Sequence, residues 1–74
     1  MDKPLKILHS SLNNRVIVEL RGGRSYQGTL DGYDVPHMNL VLKNADEIIQ
    51  GETTKHKMIV VRGDNVIIIS PPPR

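Results

Sequence analysis

The sequence has 74 residues, 10 Lys and Arg against 8 Asp and Glu for a net charge of +2, and no Cys, Trp or Phe. That length holds one small domain, and the lack of cysteine excludes disulfides and thiolate metal sites, so stability must come from packing and self-association. No stretch approaches the roughly 18 apolar residues of a membrane span, and the start Met1-Asp2-Lys3-Pro4-Leu5-Lys6 lacks the apolar segment of a secretory signal, so a cytoplasmic protein is expected.

The first element expected is a short helix over about 3–12, with Asp2 as cap, Pro4 in the first turn and Leu5, Leu8 and Leu12 on one face. Asn13-Asn14 ends it. A helix this short is marginal in water, so its apolar face must dock on the rest of the domain. Its polar residues Lys3, Lys6 and His9 form a solvated face or a second nucleic-acid contact.

From Arg15 the period changes to two, with Val16, Val18 and Leu20 facing one way and Arg15, Ile17 and Glu19 the other. Gly22-Gly23 supplies the positive φ angles of a hairpin, and a return strand runs from Ser25 to Tyr33. Gly28 and Gly32 mark bends there, placed where a side chain would crowd the inside of a curved sheet, which favours a small barrel. A third strand is expected from Met38, with Met38, Leu40 and Leu42 on one face, continuing loosely through Ile48 and Ile49.

Gln50 to Lys57 is polar and contains Gly51, so it reads as a loop or the tip of a long hairpin. Met58 to Val61 and Val66 to Ile69 are continuous apolar runs, as expected of strands covered on both faces. In so short a chain they would be exposed edges unless neighbouring subunits pair with them. Pro71-Pro72-Pro73 ends pairing, leaving a proline-rich tail over 71–74. The barrel is expected over about 15–70.

Two polar segments carry the functional reading. Tyr33 to Asn39 offers the flat imidazole of His37 beside the donor and acceptor of the Asn39 amide, which is equipment for reading one edge of an unpaired base. Arg62-Gly63-Asp64-Asn65 lies between the two last strands and adds a planar cation, so the sheet can bring both loops together. A uracil between His37 and Arg62 would gain stacking and cation–π attraction of about 1–3 kcal/mol. The Asn39 amide can meet both the O4 acceptor and the N3 donor of uracil, whereas cytosine presents the opposite pattern. Backbone amides near Gly63 are the alternative readers of a base carbonyl.

In order and spacing, Gly23, Gly28, Leu30, Asp34 and Met38-Asn39 resemble the first motif of the Sm or Sm-like family, archaeal members in particular, and Val61-Arg62-Gly63-Asp64-Asn65-Val66 resembles the second. The resemblance spans nearly the whole chain. It implies a mainly β fold, with a short N-terminal helix followed by a strongly bent, five-stranded antiparallel open barrel of SH3-like type. It also implies a homo-oligomeric ring joined fourth strand to fifth strand, usually of seven subunits in archaea. The family pattern has two residues between the aspartate and Met-Asn, whereas here Val35, Pro36 and His37 make three. His37 keeps the stacking position, Asp34 falls one place early, and Pro36 is expected to absorb the extra residue as a bulge. His37, Asn39, Arg62 and Gly63 are therefore the expected RNA-binding residues, with Asp64 as an acceptor that orients Asn39.

The expectation is a ring that binds uridine-rich single-stranded RNA, one base pocket per subunit on the inner rim, as a scaffold or chaperone in RNA processing alongside other RNA-processing proteins. The alternative is a barrel that serves as a protein-interaction scaffold with incidental RNA affinity. His9, His37 and His56 lack metal-ligand spacing, no phosphate loop or nucleophile with a paired base is present, and Asp31, Asp34 and Asp64 would repel phosphate without a metal, so neither catalysis nor a cofactor is expected. Arg62-Gly63-Asp64 also matches an adhesion tripeptide, a pattern short enough to recur by chance.

Overall fold

Strict alternation of apolar and polar residues puts Val16, Val18 and Leu20 on the inner face of a first strand, β1 (Arg15–Leu20), and all three are buried. The computed structural model describes residues 4–70. Before β1 lies a helix, α1 (Pro4–Ser10), and after it come β2 (Arg24–Tyr33), β3 (Leu40–Ile49), β4 (Glu52–Val61), a 3-10 turn at Gly63–Asn65 and β5 (Val66–Ser70). The strands form one five-stranded sheet in the order β4-β3-β2-β1-β5, every neighbouring pair antiparallel. Leu30, Leu40, Leu42 and Val18 lie at the centre of the core, fully buried.

The helix docks through Leu8, which is 5% exposed, and the turn after it adds Leu12, which packs against the core; the side chain of Leu5 lies outside what the structure describes. The helix is shorter than expected, stopping at Ser10. Asn13 adopts a left-handed φ of 68°, and Asn14 donates its side-chain N–H to the Ser10 carbonyl at 3.2 Å. The turn is fastened to β2 by Asn13 N–H to Leu30 O (2.8 Å) and Leu30 N–H to Asn14 O (3.0 Å). Asp2, Lys3 and the proline tail lie outside the described residues.

Gly22 and Gly23 take φ angles of 84° and 80° in the β1–β2 hairpin. In β2 the pairing with β3 shifts register around Gly28 and again before Gly32. A Cβ on Gly28 would lie 2.9 Å from the Ala45 Cβ, so this glycine is needed for close approach of two strands. Gly32 faces open space, so the expected crowding holds only at the first of the two.

Three boundaries differ from expectation. The third strand starts at Leu40, because Met38 has a φ of 57° and cannot extend a ladder. Its inward set then slips by one at Asn44 (φ 51°), from Leu40 and Leu42 to Ala45, which explains why the sequence alternation fades. For Gln50 to Lys57 the structure selects the tip of a long hairpin over a loop. Only Gln50 and Gly51 turn, with φ angles of 50° and 84° as in a two-residue primed hairpin, and β4 is a strand from Glu52 onward. Thr53 and Thr54 pair with Ile48 and Glu47. Polarity concealed this strand because its outer half faces solvent on both sides.

Candidate nucleic-acid interface

The loop between β2 and β3 is closed by its own aspartate. Asp34 N–H donates to Asn39 O at 3.0 Å, and Asn39 N–H returns a 2.7 Å bond to Asp34 Oδ1. The short distance is that of a charge-assisted bond, which is about twice as strong as a neutral one. Val35, Pro36 and His37 turn outside this closure and are all exposed, so the extra residue is absorbed without disturbing either anchor. Asp34 therefore holds the loop and orients Asn39 despite its displaced position. Its Oδ2 lies 3.5 Å from both Asn39 Nδ2 and His37 Nδ1.

The second loop meets the first through Gly63. Its N–H donates to Asn39 Oδ1 at 2.9 Å. A Cβ at this position would sit 2.0 Å from the His37 carbonyl oxygen and 2.6 Å from that of Met38, so only glycine lets the loops approach this closely. Asn39 is thus held from both sides, its oxygen by Gly63 and its nitrogen by Asp34. Each contact uses one position, leaving one amide N–H and one oxygen lone pair for a ligand. The Gly63 N–H is already engaged and is no free donor for a base.

Arg62 and His37 present their flat groups to solvent, with side chains 75% and 74% exposed. Asp64 does not orient Asn39 as expected. Its carboxylate pairs with Arg62 at 3.2 Å instead, steadying the guanidinium, because the tight turn points two residues of one loop at each other. His37, Met38, Asn39, Arg62, Gly63 and Asp64 line one open cleft of about 320 Å³. All five site residues expected from sequence are brought together there. Met38 is the addition, half-buried, packed against the core and forming the floor between the loops. Its signal in the sequence was its apolar character directly beside Asn39, which read instead as a strand start.

Asp64 offsets the charge of Arg62, and Asp34 beside His37 adds a further carboxylate, so the cleft carries no excess of positive charge. Such a site has little pull on a phosphate by charge alone. What it offers is two planar groups and one fixed amide, which suits a base.

A family model for the LSM domain matches residues 6–71. The chain is 54% identical over 96% of its length, and 92% of the relative's, to a protein of Archaeoglobus fulgidus that carries the name snRNP Sm-like protein, and 51% identical over 95% of its length, and 97% of the relative's, to one of the same name from Methanosarcina barkeri. Among solved structures it is similar to the SmAP1 heptamer of P. aerophilum, with a TM-score of 0.89 at 39% identity, covering 100% of this chain and 99% of that one. It is also similar to the Sm protein of Pyrococcus abyssii in complex with a uridine heptamer, with a TM-score of 0.88 at 44% identity over 96% of this chain and 100% of that one. The mainly β sheet, the helix docked on it and the two motif-bearing loops that meet at Gly63 are those of the Sm fold, and the chain belongs to the LSM family of Sm-like proteins.

Proposed function

We propose that this chain assembles into a homo-oligomeric ring of the strongly bent open-barrel type, a heptamer by analogy with its structural relatives, and binds uridine-rich single-stranded RNA with one pocket per subunit. The observation that carries the reading is the Asn39 amide, fixed by Asp34 and Gly63 with one donor and one acceptor left over between two exposed planar groups. In this reading His37 and Arg62 sandwich a uracil ring while Asn39 meets its O4 and N3–H. Asp34, Gly63 and Asp64 position those three. Fixing the amide supplies the choice, because a rotated amide would suit cytosine equally well.

Assembly uses the apolar side chains left on the edge strand β4, where Met58 and Val60 are 59% and 67% exposed. The partner is the β5 edge of the next subunit. A net charge of +2 per chain then accumulates around one axis and attracts the phosphate backbone, a task the cleft, with two carboxylates beside one guanidinium, cannot perform. The protein binds without transforming the RNA. Native mass spectrometry with oligouridine and, separately, oligoadenosine tests this: a ring that takes up oligouridine preferentially is expected. Failure to bind either oligonucleotide, with the ring intact, would favour a protein-interaction scaffold, and shortening of the RNA would make it an enzyme.

A further inference from the structure

Away from the cleft, one carboxylate joins three strands. Glu47 on β3 is 17% exposed, so it depends on protein partners rather than water. Tyr26 of β2 donates its hydroxyl to Oε2 at 2.9 Å, Arg24 Nε of β2 approaches the same oxygen at 3.6 Å, and His56 Nε2 of β4 lies 3.0 Å from Oε1. Val18, paired with Tyr26, is the neighbour from β1. The other nearby ion pair, Asp46 with Lys55 at 3.2 Å, involves the adjacent positions, and its lysine is 83% exposed.

Within Glu52–Lys57, the outer half of β4, His56 is the one side chain not classed as exposed. That stretch has no apolar residue in the core. Apart from the backbone ladder and the exposed Lys55 pair, Glu47 and His56 fasten it to the sheet.

We propose that Glu47 is an acid-sensitive clamp on β4, holding its outer half at neutral pH and releasing it when the carboxylate is protonated. The chemistry is one of charge. With Glu47 neutral, Arg24 on β2 and His56 on β4 lose the anion that both approach. The hydrogen bond from His56, then that from Tyr26, lowers the Glu47 pKa against the opposing effect of burial, with the charge of Arg24 adding to the lowering. Burial, then the bond to Glu47, raises that of Tyr26. A group lowered in the folded state contributes stability that is complete well above its ordinary value of 4.5 and is lost as pH falls through that value and the lowered native one. Because the same strand carries Met58 and Val60, release also loosens self-association, a consequence that rests on the assembly proposed above. Each subunit of a ring carries its own clamp, so dissociation is steep in pH.

The test is amide hydrogen exchange of the full chain at pH 7 and at pH values stepped down through 4.5 and below, with subunit mass followed in parallel. Glu47→Gln is expected to lower protection of the Glu52–Lys57 amides roughly tenfold at pH 7 while leaving those of β1 unchanged, and to flatten the acid dependence of both readouts. His56→Ala, which removes the β4 side of the clamp and leaves the carboxylate ionised, is expected to loosen the same amides. Asp46→Asn is expected to leave them as they are. Protection and acid profile of wild type in a folded Glu47→Gln or His56→Ala chain, or the same loosening in Asp46→Asn, would overturn the clamp. A wild-type chain that is monomeric at pH 7 would defeat the ring reading alone, and the exchange comparison would still decide the clamp.

Discussion

In the proposed pocket Asn39, His37 and Arg62 would divide the work of base recognition, and each division can be measured. Asn39→Ala should weaken oligouridine binding and flatten the preference over oligocytidine, with circular dichroism and subunit mass unchanged. Discrimination surviving in that variant would assign the reading to another group. Arg62→Lys keeps the charge but loses the planar surface and forked donors, so stacking predicts a loss of affinity approaching tenfold or more, whereas a charge role predicts little change. His37→Ala should cost a comparable amount, and the double variant less than the two losses added, since either one already opens the sandwich. Strict additivity by titration would argue against a shared pocket. That these three residues meet in one cleft was legible because the two loops flank strands whose pairing brings them together. The partners that position them were less so: Asp34 stood one place away from its usual spacing, and only the folded loop shows its carboxylate reaching Asn39 N–H at 2.7 Å. Asp64 was assigned to Asn39 and turns to Arg62, a matter of two rotatable side chains that no sequence pattern fixes.

Elements matter here chiefly through the place where two loops touch. Gly63→Ala puts a methyl group into the His37 and Met38 carbonyls, so the loops must separate and the Gly63 N–H to Asn39 bond must break. The expected result is lost RNA binding together with a fall in melting temperature, and binding as tight as wild type would sink the proposed role of loop contact. The strands were readable where burial is one-sided, as in Val16, Val18 and Leu20. They were not where the chain breaks period: Asn44 reverses the inward set within β3, and β4 begins in a polar segment whose only local signal was Gly51 in a two-residue turn. A polar edge strand is held by pairing with its neighbour, and pairing leaves little mark on composition.

At the scale of the whole molecule, the exposed Met58 and Val60 on β4 are the apolar surface that the proposed ring would cover. Val60→Asp leaves the domain interior untouched, because this residue is 67% exposed, but places a charge in the proposed subunit contact. A folded chain of single-subunit mass is expected by light scattering, and an undiminished ring would refute the use of this edge. The sheet order β4-β3-β2-β1-β5 gives that contact a direction. Its two edges are unlike, so in the proposed assembly each added subunit would fill one edge and offer the other, as in a chain of hooks and eyes. Growth of this kind has no intrinsic end, and it stops only when the rotation from one copy to the next divides a full turn. In the proposed ring that rotation would depend on how the sheet bends between its two edges, and the irregularities at Gly28 and Asn44 lie between them. On that reading the subunit number of the proposed ring would be a property of the bend, and altering the bend would change the count, or open the ring into a filament, with every edge residue left in place.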